Sequence, residues 1–289
     1  MKFVTYNYNG TEYVGALTGD EASVIPASEF GFKAGSMLEL IKELDGSYPA
    51  IPTQAKSIAL SAVKLEAPIP EPRQDVICLG LNYRDHAEEA TRADAVFDVQ
   101  RGDAVYFSKR LQRAVAPGDK IDGHFDICDS LDYEVELGVV IGRDAKNVKA
   151  ADAGKYIFGY TIVNDVSARN LQTRHKQWYF GKSLDDFTPM GPCILSADEV
   201  GAMPELDIRC YVNGEKRQDS NTRMMIFDIP YIIEELSTGM TLKAGTVIAT
   251  GTPSGVALGM APEVQKYLES GDVVRCEIDR IGVLENTIA

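Results

Sequence analysis

The chain has 289 residues, of which 45% are apolar and 25% charged, with 25 Gly and 13 Pro scattered along it. That balance belongs to a globular protein and excludes a disordered or low-complexity chain. The 29 basic against 43 acidic residues leave a net charge of -14, which excludes broad, non-specific nucleic-acid binding, because a polyphosphate needs a basic footprint. Local charge in a pocket can oppose the global sign, so small acidic substrates stay open. No apolar run approaches the roughly 20 residues of a membrane-spanning helix. The start, Met1-Lys2-Phe3-Val4-Thr5-Tyr6, alternates like a strand and lacks the apolar core of a signal peptide. Five widely spaced cysteines (Cys78, Cys128, Cys193, Cys210, Cys276) include no Cys-x-x-Cys pair. A reduced, cytoplasmic protein with buried thiols is expected, and a cysteine-built zinc site is not.

In chain order, Lys2–Tyr8 and Glu12–Leu17 read as strands around an Asn9-Gly10 hairpin turn. A helix is predicted near Ser36–Leu44, with Met37, Leu38, Leu40, Ile41 and Leu44 on one face. Three prolines in Ala67-Pro68-Ile69-Pro70-Glu71-Pro72 read as an extended linker. A domain boundary is placed there, with a small N-terminal domain over 1–70 and a second domain over 71–289. Beyond it, Val76–Leu79, Ala104–Phe107, Val135–Ile141, Ile157–Val163, Ile208–Val212, Val247–Thr250 and Val273–Ile278 are strand candidates. Helices are fewer: Arg84–Thr91, one after Asp165, and Ile229–Leu236. No repeat and no regular strand–helix alternation appear, which disfavours a doubly wound sheet or a TIM barrel. A mainly β (α+β) fold with a few inserted helices is expected.

Only three histidines occur: His86, His124 and His175. On a helix, Glu89 would share a face with His86, and a carboxylate against an imidazole sets its tautomer and raises its basicity, as a general base requires. The same spacing also describes a polar helix carrying an incidental ion pair. In Asp132-Tyr133-Glu134-Val135-Glu136-Leu137-Gly138, strand periodicity puts Glu134 and Glu136 on one side. They mark either a solvent face or two carboxylates that need a cation between them. Asp165 ends the next strand and reads either as a helix N-cap or as a third oxygen ligand. Thr250-Gly251-Thr252-Pro253-Ser254-Gly255 is a turn able to nest an anion, or a simple β-turn; it lacks the lysine and spacing of a phosphate loop. By itself, Lys182 in Phe180-Gly181-Lys182-Ser183 is an ordinary solvated lysine.

Together, and in order, these stretches resemble the fumarylacetoacetate hydrolase superfamily. The matching segments are Gly80-Leu81-Asn82-Tyr83-Arg84-Asp85-His86, Asp132 through Gly138, Asn164-Asp165-Val166-Ser167-Ala168-Arg169, Gly181-Lys182-Ser183-Leu184-Asp185, Val212-Asn213-Gly214-Glu215 and Thr250 through Val256. The tail, Gly271-Asp272-Val273-Val274 through Ile281–Asn286, fits as well. The resemblance covers roughly residues 75–289 and implies a mixed β-sandwich roll, usually dimeric, with Mg²⁺ or Mn²⁺ at its centre. It implies Glu134, Glu136 and Asp165 as metal ligands and His86 with Glu89 as an acid–base dyad. It further implies Lys182 near the substrate oxygens, Gln172 as a polar contact and Thr252 as a contact to the substrate carboxylate.

The activity implied first is hydrolysis of the C–C bond of an acylpyruvate-type 2,4-dioxo acid, with the dyad activating water. Decarboxylation of oxaloacetate and isomerisation of a 2-hydroxy-diene dioate run in similar families, and a binding protein that has lost its chemistry would keep the same fold. The expected partner is a small 2-oxo acid, with no nucleic acid and no membrane, in a cytoplasmic homodimer. One departure concerns the loop after Val105-Tyr106-Phe107, where relatives often carry Lys-Pro. Here Lys109, Arg110 and Arg113 occur, either recognising a second substrate carboxylate or decorating the surface. The stretch Ala90–Asp103 is longer and more acidic than expected of a lid.

Overall fold

A computed structural model describes residues 1–87 and 102–289. Strands Lys2–Tyr8 (β1) and Thr11–Leu17 (β2) pair antiparallel with Tyr8 opposite Thr11. Asn9 and Gly10 between them both have positive φ, 53° and 81°, the geometry a two-residue hairpin turn demands. Ser23–Pro26 (β3) and Ile58–Ala59 (β4) continue the sheet outward, and Lys64–Leu65 (β5) pairs with β1. The helix Met37–Leu44 starts at Ser36, whose side chain accepts the Glu39 N–H, and buries Met37, Leu40, Ile41 and Leu44.

On its other side β1 pairs with Met190–Ser196 (β13), Phe3 opposite Ile194. The first seventy residues are therefore hydrogen-bonded into the sheet that the rest of the chain builds. The proline-rich segment joins them closely: Ala67 and Ile69 are buried, and the Thr5 hydroxyl donates to the Pro68 carbonyl at 2.7 Å.

That sheet has eleven strands. After β13 come Ile157–Asn164 (β11), Val135–Ile141 (β10), Val247–Ala249 (β16), Val76–Gly80 (β6) and Val105–Lys109 (β7). All fifteen residues of β10 and β11 are buried, which explains why their sequences are nearly continuous apolar runs. A second, five-stranded sheet orders Glu215–Asn221 (β15), Asp207–Val212 (β14), Val273–Ile278 (β17), Gly282–Ile288 (β18) and Lys120–Ile121 (β8). Leu137 and Val139 of β10 share one core with Ile208, Cys210, Val274, Cys276 and Leu284 of this sheet. Phe3, Phe158 and Ile194 share another with the helix Met37–Leu44. Neither large sheet closes on itself, and the mainly β fold expected from the sequence is the one observed. Among the described residues, no helix is long and apolar enough to cross a membrane.

The β11–β13 contact leaves no room for a side chain at Gly159, where a Cβ would lie 2.2 Å from the Leu195 carbonyl oxygen. Gly159→Ala is expected to cost about 1–3 kcal/mol through overpacking, read as a lowered midpoint in thermal unfolding. An unchanged midpoint would show that the two strands separate freely at this point.

Candidate active site

The antiparallel register sets Val135 opposite Asn164, so Glu134, Glu136 and Asp165 meet at one end of the two most buried strands. The Asp165 N–H donates to the Glu134 carbonyl at 2.8 Å, and the Glu134 N–H donates to Asn164 Oδ1 at 3.0 Å. All three carboxylates are buried, and one oxygen of each lies within 4.8 Å of the others. The pair Glu134 and Glu136 is thus not a solvent face. Nor is Asp165 a helix cap: the next helix, Arg169–Arg174, starts four residues later behind Ala168 with no side-chain cap.

Buried cations surround two of the three. Lys182 Nζ lies 2.7 Å from Glu134 Oε2 and 2.8 Å from Asp165 Oδ2. Lys109 Nζ lies 2.5 Å from Asp165 Oδ1 and donates to the Val166 carbonyl at 2.9 Å. Arg169 Nη2 lies 2.6 Å from Glu134 Oε1, while its Nε reaches Asp132 Oδ2 at 2.8 Å and its Nη1 reaches Gln172 Oε1 at 2.9 Å. Burial raises the Glu134 carboxyl, but the charges of Lys182 and Arg169 more than reverse this and hold it at about 2. Glu136 is different. Its Oε2 accepts the Gly251 N–H at 2.8 Å, and no ion pair reaches it among the described residues. Burial, and then the charges of Asp165 and Glu134, push its carboxyl well above the usual range.

A carboxylate in this position calls for one further positive charge. Three hard oxygens this close suit a divalent cation of the Mg²⁺ or Mn²⁺ kind, so the residues present fit such an ion.

Glu134 and Glu136 of the cluster form one wall of a cleft enclosing about 400 Å³ of empty space, open solvent included. His86, Glu134, Glu136, Arg169, Gln172, Lys182 and Thr252 line it on the polar side, and Leu79, Leu81, Phe107, Trp178 and Leu258 on the apolar side. The Thr252 hydroxyl donates to the Val135 carbonyl and accepts from Gln218 Nε2. His86 rides on a helical turn at residues 84–87. Lys182 Nζ stands 5.2 Å from the centre of the Phe107 ring.

Six of the expected site residues therefore line one cleft: His86, Glu134, Glu136, Gln172, Lys182 and Thr252; Asp165 is fully buried beside Glu134, Glu136 and Lys182. Glu89 lies outside the described residues, as does most of the stretch Ala90–Asp103. Arg110 is exposed and is not among the residues lining this cleft; its N–H donates to Ser183 Oγ at 3.0 Å. Arg113 pairs instead with Glu12, Glu66 and Glu71. Of the basic loop, Lys109 alone turns inward, onto Asp165.

Sequence reasoning missed three participants: Lys109 as the partner of Asp165, Arg169, and Asp132. Asp132 accepts from Arg169, from the Tyr133 N–H, and from the N–H groups of Ala257 and Leu258. A signal existed for the last two. Asp132 is two residues ahead of Glu134 in the same alternation, and Arg169 is three ahead of Gln172 on one helix.

Residues 75–289 match the family model described as fumarylacetoacetate (FAA) hydrolase C-terminal. The chain is 41% identical over 306 residues to an oxaloacetate tautomerase, YisK, of Bacillus subtilis (strain 168), covering all of both chains. A fumarylacetoacetate hydrolase from the psychrophile Exiguobacterium antarcticum superimposes with a TM-score of 0.86 at 37% identity, covering 100% of this chain and 99% of that one. A 2-hydroxyhepta-2,4-diene-1,7-dioate isomerase from Mycobacterium marinum gives 0.76 at 30% identity, covering 100% and 98%.

Proposed function

The chain belongs to the fumarylacetoacetate hydrolase family, and from that premise we propose that it is a divalent-metal-dependent enzyme that moves a proton between C3 and the 2-oxo oxygen of a small 2-oxo acid, interconverting keto and enol forms of oxaloacetate. The observation that carries this reading is the buried Glu134–Glu136–Asp165 cluster opening onto a cleft that also holds His86 and Lys182. The full-length similarity to an oxaloacetate tautomerase supports the choice of substrate.

Glu134, Glu136 and Asp165 hold the cation, which when bound supplies Lewis-acid stabilisation of negative charge on the oxygens of a 2-oxo acid. His86 takes the C3 proton: the C3–H bond breaks and its electron pair becomes the C2–C3 π bond, the carbonyl π pair moves onto the 2-oxo oxygen, and that oxygen takes back the proton from the His86 imidazolium, which returns to neutral. The Lys182 ammonium faces the developing oxygen charge; burial lowers its affinity for a proton, but Asp165 and Glu134 raise it further, so it stays charged. Gln172 and Thr252 orient the acid. Leu79, Leu81, Phe107, Trp178 and Leu258 keep the apolar side of the cleft dry.

Hydrolysis of an acylpyruvate is the second reading, favoured by the structural likeness to a named hydrolase. It asks His86, with Glu89 as its partner, to activate a water for attack on the distal carbonyl. Product analysis by NMR separates the two, with oxaloacetate, acetylpyruvate and a 2-hydroxy-diene dioate offered in parallel with Mg²⁺ or Mn²⁺. Accelerated enol–keto exchange of oxaloacetate without acetate release from acetylpyruvate is the expected result. Acetate plus pyruvate would move the protein to the hydrolases. Carbon dioxide release or double-bond migration would point to a decarboxylase or isomerase, and no turnover of any of the three to a binding protein.

A further inference from the structure

His86 sits on a single helical turn that follows an unusual corner. Leu81 adopts φ 56°, a left-handed conformation that non-glycine residues enter only when their surroundings impose it. Asn82 supplies much of that surrounding. It is fully buried, and its Nδ2 donates to the Thr250 carbonyl at 2.7 Å and to the Phe227 carbonyl at 3.1 Å. Its Oδ1 accepts the Phe227 N–H at 2.8 Å, and its backbone carbonyl accepts the Ile226 N–H at 2.7 Å.

The partner loop, residues 250–255, is in turn tied to the carboxylate cluster. Gly251 donates its N–H to Glu136. At Gly251 the chain has φ 93°, and a Cβ would come within 2.8 Å of Asn82 Cβ, so loop and corner are in direct contact. At the far end of the loop, Ser254 Oγ donates to Asp85 Oδ2 at 2.8 Å, while Asp85 Oδ1 accepts the His86 N–H at 2.9 Å. One loop thus grips a candidate metal ligand with an amide and the His86 turn at two points, Asn82 before it and Asp85 within it.

We propose that Asn82 and Asp85 are positioning residues that hold His86, through Thr250 and Ser254, in register with the Glu134–Glu136–Asp165 cluster. The proposal rests on His86 as the proton-transfer group argued above. The bonds from Asn82 to Thr250 and from Ser254 to Asp85 join the turn to the loop that touches Glu136. Their loss should lower kcat while leaving cation binding intact.

The test uses full-length Asn82→Ala, Asp85→Ala, Ser254→Ala and Ser254→Thr, with His86→Ala as reference. It reads kcat and KM for oxaloacetate tautomerisation with Mg²⁺, Mn²⁺ affinity by calorimetry, and amide hydrogen exchange over residues 83–87. Ser254→Ala should lower kcat about fivefold, the scale of one hydrogen bond, with KM and Mn²⁺ affinity unchanged and faster exchange over 83–87. Ser254→Thr, which keeps the hydroxyl, should restore both. Asn82→Ala should lower kcat more than about tenfold, since two side-chain donations and one acceptance go together. If Asn82→Ala fails to fold, the more accessible Ser254 and Asp85 variants decide the matter. Wild-type kcat in both Ser254→Ala and Asp85→Ala, with His86→Ala inactive, overturns the positioning role. Mn²⁺ affinity falling in step with kcat overturns it too, because the loop would then serve the cation site alone. A His86→Ala protein with full rate instead sinks the proton-transfer reading.

Discussion

Glu136→Gln is expected to remove divalent-cation binding and turnover while making the cation-free protein more stable. Glu136 is 1% exposed, close to two other carboxylates, and met by the Gly251 N–H. Gln keeps the shape and an oxygen for that N–H but carries no charge to repel Glu134 and Asp165. The loss of one ligand should weaken Mn²⁺ at least about 100-fold, given that even outer-shell partners cost about 10–100-fold. The stability gain has a definite pH dependence. Burial, Asp165 and Glu134 raise the folded-state carboxyl of Glu136 above its unfolded value. Its contribution is therefore favourable below the usual Glu range of about 4.3 and is lost as pH rises through the folded value. The variant's advantage should widen over that interval and level off above it. Titration calorimetry with Mn²⁺ and denaturant unfolding of cation-stripped protein at several pH values check both parts; unchanged Mn²⁺ affinity removes Glu136 from the ligand set. Glu134→Gln should differ, losing the cation and also stability, by about 3–5 kcal/mol, because Lys182 and Arg169 lose a buried counter-charge.

His86→Ala should lower kcat by about 10²–10⁴, the range for losing a positioned general base, with Mn²⁺ affinity close to wild type. The reason is spatial: His86 lines the same cleft as the carboxylates but is not a member of their cluster. Stopped-flow measurement of enol loss, paired with calorimetry, reads the two quantities separately. A variant that loses cation affinity together with rate would make His86 part of the cation site.

Much of this site is legible in the chain because its residues lie in short, distinctive runs. Glu134 and Glu136 stand two apart on an apolar strand, and Asp165 ends the neighbouring one, so local periodicity places them before any tertiary contact is known. What periodicity could not decide was whether that end of the strands faces water; burial by Lys109, Lys182 and Arg169 answers it. Lys109 illustrates the limit. With Arg110 and Arg113 it reads as part of a basic loop, either recognising a substrate carboxylate or decorating the surface, yet it ends β7, is fully buried and meets Asp165. Three strands lie between β7 and β11 in the sheet, so neither local pattern nor strand neighbourhood encodes that contact.

The fold divides in the same way. Hairpin β1–β2 and strands β10 and β11 follow from alternation, Asn-Gly chemistry and continuous apolar runs. Met190–Ser196 was not among the strand candidates, since Gly191 and Pro192 interrupt it. Its pairing with β1, Lys2 opposite Leu195 and Phe3 opposite Ile194, is a long-range contact that no local pattern encodes. Glu215–Asn221 was missed for a different reason: it is polar almost throughout, and its strand character comes from pairing with β14.

The most direct test of the central claim is the rate of oxaloacetate enol–keto exchange with cation-stripped protein, before and after Mg²⁺ or Mn²⁺ is restored. The account expects acceleration only when protein and cation are both present, above the cation's own effect. Equal acceleration by the stripped protein with chelator, or none beyond that of the free cation, would contradict it.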